Sequence, residues 1–206
     1  MSTSDDSIAQ AAAGAAATTH PRTVRIWDPL VRVLHWGLAL SIAVAWLTYE
    51  GGSSIARIHE AAGYIALALI GMRLIWGFLA PSEHARFASF LCSPGQTWAY
   101  ARSVAAGREN RYLGHNPLGA WMIVALLATA ATAAGSGWLY VTDAYWGVPW
   151  VEALHETSAV LLLVLIGIHV AGVVFTSWRH RENLVAAMIH GRKADTDAPR
   201  PPRPGS

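Results

Sequence analysis

The chain has 206 residues, of which 53% are hydrophobic and only 14% charged, and its mean hydropathy is positive. That balance excludes an ordinary soluble domain, and the length excludes several large ones. A net charge of +2 carries no nucleic-acid signature, so the information lies in where the basic residues stand.

Residues 1–22 open with Met1-Ser2-Thr3-Ser4-Asp5-Asp6 and an Ala/Thr tract. The tract lacks a basic n-region and a strongly apolar run, so it reads as a disordered tail and not as a signal peptide. Residues 194–206 form a second, Pro-rich tail. Between them, residues 23–193 read as one membrane domain with four spans, at about 30–49, 58–79, 118–140 and 151–177, each long enough for a bilayer core. Asn116-Pro117 is a cap followed by a first-turn proline at the head of span three.

The long connection between spans two and three carries a segment, 94–106, suited to a helix on the membrane surface. Residues 181–190 suit a second short amphipathic helix after span four. The fold expected is therefore all-α, an integral four-helix membrane bundle with short surface helices in the 2–3 loop and C-terminal segment. The single cysteine, Cys92, belongs to no C-x-x-C-H pattern, which excludes an intrachain disulfide, a Cys-rich zinc site, an iron–sulfur cluster and covalent haem attachment.

Basic residues orient the bundle. Arg22, Arg25 and Arg32 precede or open span one; Arg86, Arg102, Arg108 and Arg111 lie in the long loop; Arg179, Arg181, Arg192 and Lys193 close span four. The two other connections hold Arg57 against Glu50, Asp143 and Glu152. Both termini and the long loop are expected to be cytoplasmic. Trp46, Tyr49, Trp138, Tyr140, Trp146 and Trp150 then mark the outer interface, and Trp76, Trp121 and Trp178 the inner one.

Ionisable or metal-binding side chains inside a span default to a functional reading. Four histidines qualify. His35 in span one and His169 in span four lie towards the inside; His59 in span two and His155 in span four lie towards the outside. His155 and His169 are fourteen residues apart, four turns less about 40°, so both imidazoles share a face roughly 21 Å apart along the axis.

Two imidazoles from facing helices at one depth can hold a haem iron in both axial positions. The pairs expected are His35 with His169 and His59 with His155. Gly63, one turn after His59, and Gly167 and Gly172 beside His169 would give a porphyrin backbone clearance. Arg73 lies fourteen residues after His59, at inner depth, where a buried guanidinium needs an anion such as a haem propionate. Arg57 is the corresponding candidate at the outer level. The bland reading of each intramembrane histidine is a hydrogen-bonded packing residue, and His20, His84, His180 and His190 read as solvated surface. His115 and Asn116, at the inner mouth of span three, could cap or pack, or could line a site for a quinone headgroup.

Val33-Leu34-His35-Trp36, Ile58-His59-Glu60-Ala61-Ala62-Gly63-Tyr64 followed by Arg73, and Leu154-His155-Glu156 followed by His169 resemble the bacterial cytochrome b561 superfamily. Gly114-His115-Asn116-Pro117 and the ending Arg179-His180-Arg181-Glu182-Asn183-Leu184 are most similar to its b-type subunits of nickel–iron hydrogenases and related small bacterial members. The resemblance covers roughly residues 23–193. It implies two non-covalent b haems, with His35, His59, His155 and His169 as axial ligands, in a bacterial inner membrane. It also implies electron transfer between the quinone pool and a redox partner such as a hydrogenase or a c-type cytochrome. Two rival functions remain open at this point. One is a quinone-linked oxidoreductase acting alone on a small oxidant such as superoxide at the outer haem, near Trp146 and Trp150. The other is a haem-free transporter or assembly factor using the histidines for metal or protons.

Overall fold

The computed structural model describes residues 23–82, 85–109, 112, 114 and 116–194. The two tails, His20, His84, Arg111 and His115 lie outside them. In chain order the elements are β1 (Thr23–Arg25), α1 (Pro29–Leu47), α2 (Ser53–Leu79), α3 (Phe87–Phe90), α4 (Pro94–Ala105), α5 (Pro117–Tyr140), α6 (Pro149–His180), α7 (Leu184–His190) and β2 (Arg192–Ala194). Helices α1, α2, α5 and α6 are each long and apolar enough to cross a membrane. The fold is an all-α membrane bundle, as the hydropathy indicates.

Helix starts follow local chemistry. Asp28 caps α1 by accepting from Leu30 N at 2.9 Å and Val31 N at 3.3 Å, with Pro29 in the first turn. Asn116 caps α5 through Gly119 N at 2.7 Å. Ser93 and Gln96 form a reciprocal capping box on α4. Helix α2 begins at Ser53, five residues before the expected start, because Gly52 permits the turn and nothing from Ser53 to Arg57 opposes a helix. His59 therefore sits in the second turn and not at the helix mouth. Helix α6 runs three residues past the expected end, to His180, and is closed by Arg181 in the left-handed region with φ 52°.

Packing runs in a chain: α1 on α2, α2 on α5, and α5 on α6. Helices α1 and α6 are thus held apart by α2 and α5. At mid-height Ile70, Ala130 and Leu162 are buried, with Leu38, Ile42, Leu126 and Ile166 packed on them. All four long helices contribute to that layer.

The end of the bundle that carries β1 and β2 is closed by elements that periodicity does not announce. β1 and β2 pair antiparallel, with Thr23 opposite Ala194 and Arg25 opposite Arg192. Short α3 sets Phe87 against Ala120 of α5. Arg179 donates to Glu109 at 2.8 Å and to Gly107 O at 3.0 Å, pinning the end of α6 to the long loop. That bond from Arg179 holds the Glu109 carboxyl below its ordinary range.

Gly77 of α2 is where Phe87 seats: a Cβ there would come within 2.0 Å of the Phe87 ring, which is itself buried. Gly77→Ala must displace that ring, and overpacking of this kind costs about 1–3 kcal/mol. We expect a lower thermal midpoint for detergent-solubilised Gly77→Ala than for Gly71→Ala, where a Cβ meets nothing within 4 Å. Equal midpoints would show that the Phe87 seat carries no stability.

Candidate functional site

The four intramembrane histidines meet in two pairs. The rings of His59 on α2 and His155 on α6 are 6.1 Å apart between centroids, at an interplanar angle of 84°. Those of His35 on α1 and His169 on α6 are 6.5 Å apart, at 57°. These distances also suit a shared central atom. Two metal–imidazole bonds of about 2 Å, plus about 1 Å from each nitrogen to its ring centre, sum to about 6 Å. Among the described residues no third His, Cys, Asp or Glu joins either pair. A metal held there draws two donors from the protein, as an axial pair on a macrocycle does.

The outer pair is aimed by main-chain carbonyls. His59 Nδ1 lies 2.8 Å from Ala45 O, and His155 Nδ1 lies 2.8 Å from Ala133 O. A carbonyl oxygen can only accept, so each Nδ1 carries the proton and each Nε2 keeps its lone pair. That second hydrogen bond is the usual way of fixing the tautomer and ring orientation of a metal-binding histidine.

Both acceptors also take bonds from their own helix. Ala45 is in the last turn of α1, and its carbonyl accepts from Thr48 N at 3.3 Å and Thr48 Oγ1 at 3.2 Å. Ala133 is inside α5, and its carbonyl also accepts from Ser136 Oγ at 3.0 Å. Gly137 makes the approach of His155 possible: a Cβ there would stand 2.9 Å from His155 Cε1 and 3.1 Å from Nδ1. Span three, without a histidine of its own, thus positions one. The only trace in the sequence was Gly135-Ser136-Gly137, an ordinary cluster of small residues for a membrane helix.

At the inner level the polar atoms are incompletely matched. His35 Nδ1 and Arg73 Nη1 are buried without a hydrogen-bond partner. Arg73 is 8% exposed, donates through Nη2 to Ala85 O at 3.3 Å, and lies 4.6 Å from the Phe87 ring centre. A buried cation with a free donor fits an added anion.

The other expected residues sort by geometry. A Cβ on Gly63 meets nothing within 4 Å, so there is open space one turn from His59. Gly172 likewise has open space and lies about 60° from His169 around the axis. Gly167 is turned about 160° from His169 and is exposed, so it faces outward and provides no clearance beside that ring. Arg57 is exposed and, two residues before His59, is also turned about 160° away. Asn116 has its side-chain oxygen committed to the α5 cap, and His115 lies outside the described residues. Trp146 and Trp150 are exposed and pack on Tyr140 and Tyr145, at 5.8 and 5.9 Å between centroids. That is how interfacial aromatics sit.

A family model described as prokaryotic cytochrome b561 matches residues 26–191. A probable Ni/Fe-hydrogenase B-type cytochrome subunit of Bradyrhizobium diazoefficiens is 24% identical, with the alignment covering 92% of this chain and 93% of that protein. No solved structure matches the chain.

The Gly137 contact predicts a selective lesion. Gly137→Ala should displace the His155 ring and alter the visible absorbance of bound haem, whereas Gly135→Ala, whose Cβ meets nothing within 4 Å, should leave it unchanged. Identical spectra for the two variants would remove Gly137 from the site.

Proposed function

The chain belongs to the prokaryotic cytochrome b561 family, and we propose from this that it relays electrons across the bilayer through two b haems, between a redox partner protein and the quinone pool. At the coarser level the chain is a multi-pass membrane b-type cytochrome acting in electron transfer. The proposal adds the number of haems, their ligands and the two ends of the route.

The outer haem is assigned to His59 and His155, and the inner haem to His35 and His169. The observation that carries this is the pair of imidazole separations, 6.1 and 6.5 Å, on helices otherwise held apart. Haem b, when bound, supplies the one-electron carrier. The protein's part is to present Nε2 of each histidine, to keep Nδ1 of His59 and His155 protonated on a carbonyl, and to exclude water. A haem held by two of these imidazoles would have no protein-free iron position to offer a small oxidant. Arg73 is assigned to the inner haem's carboxylates on the strength of its burial and its unmatched Nη1. Arg57 is assigned only a long-range electrostatic influence on the outer one.

The hydrogenase-subunit relative supports a hydrogenase-like donor as the partner. The distribution of arginines supports cytoplasmic termini in a bacterial inner membrane. For quinone, the assignment rests on His115 at the inner mouth, a side chain able both to hydrogen-bond a headgroup and to carry its proton. Asn116 acts there as the cap of α5.

Haem quantification with redox-difference spectra tests the pairing. His59→Ala and His155→Ala should lose one and the same spectral component, and His35→Ala and His169→Ala the other, each retaining about half the haem. Loss of a common component by His59→Ala and His169→Ala would overturn the two-level assignment. For quinone, His115→Ala should keep both haem components and slow reduction by quinol about 10²–10⁴-fold, the range for loss of a proton-transferring group. An unchanged rate would remove His115 from the route.

A further inference from the structure

Outside the haem region the most unusual arrangement of charge is on the β1–β2 ribbon. Arg25 and Arg192 are directly opposite each other in the antiparallel register, so their side chains leave the ribbon on the same face. Like charges in that position repel and destabilise a two-stranded ribbon. Among the described residues no carboxylate pairs with either: the ion pairs there are Arg179 with Glu109 and Lys193 with Glu182. Together with His190, the last residue of α7, the two arginines line a cleft of about 430 Å³.

The cleft is held in shape from beneath. Gly191 joins α7 to β2 with φ 79°, a conformation favouring glycine. Its carbonyl accepts from Ile26 N at 3.0 Å and Trp27 N at 3.2 Å. Arg32 donates to Ile189 O, satisfying the end of α7. A Cβ on Gly191 would meet Arg32 Nη1 at 2.8 Å. The backbone that carries the three exposed side chains is therefore set by the Gly191 turn.

The ribbon stands at one mouth of the bundle, three residues before α1 begins and directly after α7. Large apolar side chains remain exposed at this end: Val24, Val174, Trp178, Val185 and Ile189. A cationic cleft whose lining residue His190 adjoins exposed Ile189 on α7, at an end of the bundle, has the chemistry of a lipid-headgroup site. We propose that Arg25, Arg192 and His190 bind the phosphate of an anionic phospholipid headgroup, whose acyl chains lie along the exposed apolar side chains of α6 and α7. This site is independent of haem ligation, and the ligand supplies the negative charge that the opposed arginines lack.

Native mass spectrometry tests it on the full haem-loaded protein, released from mixed phosphatidylcholine and phosphatidylglycerol vesicles. The wild type should retain phosphatidylglycerol in preference to phosphatidylcholine. An arginine near an anionic surface contributes about a fivefold change in affinity, so Arg25→Gln/Arg192→Gln should lower that preference roughly 30-fold. The haem spectrum should not change, which shows that the variant is folded. Equal retention by wild type and variant would overturn the proposal. Inorganic phosphate separates the sources of the anion. If millimolar phosphate displaces the lipid from the wild type, the cleft is a general phosphate site and the lipid assignment fails; persistence of the lipid supports it. Asp195 and Asp197 follow β2 in the sequence. If Asp195→Asn/Asp197→Asn binds phosphatidylglycerol and the wild type does not, the arginines are neutralised from within the chain and the proposal is wrong.

Discussion

The spacing between α6 and the pair α1–α2 governs the rest of this protein. Directly packed helices approach to about 8–10 Å between axes, which leaves no room for two facing imidazoles with a further atom between them. The chain avoids direct packing by inserting α5, which rests on α2 on one side and carries α6 on the other. Buried Ala130, Ala133 and Ser136 give α5 a slim face. Gly137 then lets a ring of α6 reach the α5 backbone. A helix with no histidine thus sets where two histidines stand.

Between the two imidazole levels lies an apolar layer. Leu162 is seven residues from both His155 and His169, so it sits midway between them on nearly the same face. Ile70 and Ala130 bury it, with Ile42 and Ile166 around them. In such a layer the dielectric is low, so charge at either level is felt more strongly than in water. A polar substitution here would introduce an unmatched group where no partner is at hand.

The two ends of the bundle are built differently. At the end away from the ribbon the connecting loops make local contacts, as in Trp46 stacked on Tyr49 at 5.0 Å and the turns around Tyr145. At the inner end they span the chain. Trp76 donates to Asp28, Arg32 to Ile189 O, Arg179 to Glu109, and β1 pairs with β2. Such cross-links tie α1, α2 and α6 together at the end where Arg73 is buried. A buried guanidinium demands an ordered surround, since each unmatched donor is costly, and Phe87 and Ala85 supply part of it.

The hydropathy runs alone determined the number of membrane helices, because a bilayer demands about 20 consecutive apolar residues whatever surrounds them. The cap at Asn116 was legible for the same local reason, whereas that at Asp28 was not read from the sequence. The histidines stood out because polar rings inside such runs are costly, and helical periodicity put His155 and His169 on one side of α6. What local pattern could not contain is which backbone atom a ring meets across the bundle. Ala45 O and Ala133 O belong to residues with no distinguishing side chain, and Gly137 reads as any small membrane residue. The seat of Phe87 against Gly77 and the pairing of Arg25 with Arg192 join segments far apart in the chain, through contacts that carry no periodicity. Tertiary structure decided these, since a hydrogen bond to a carbonyl or a ring in a glycine gap depends on how the helices approach and not on either residue's own propensity.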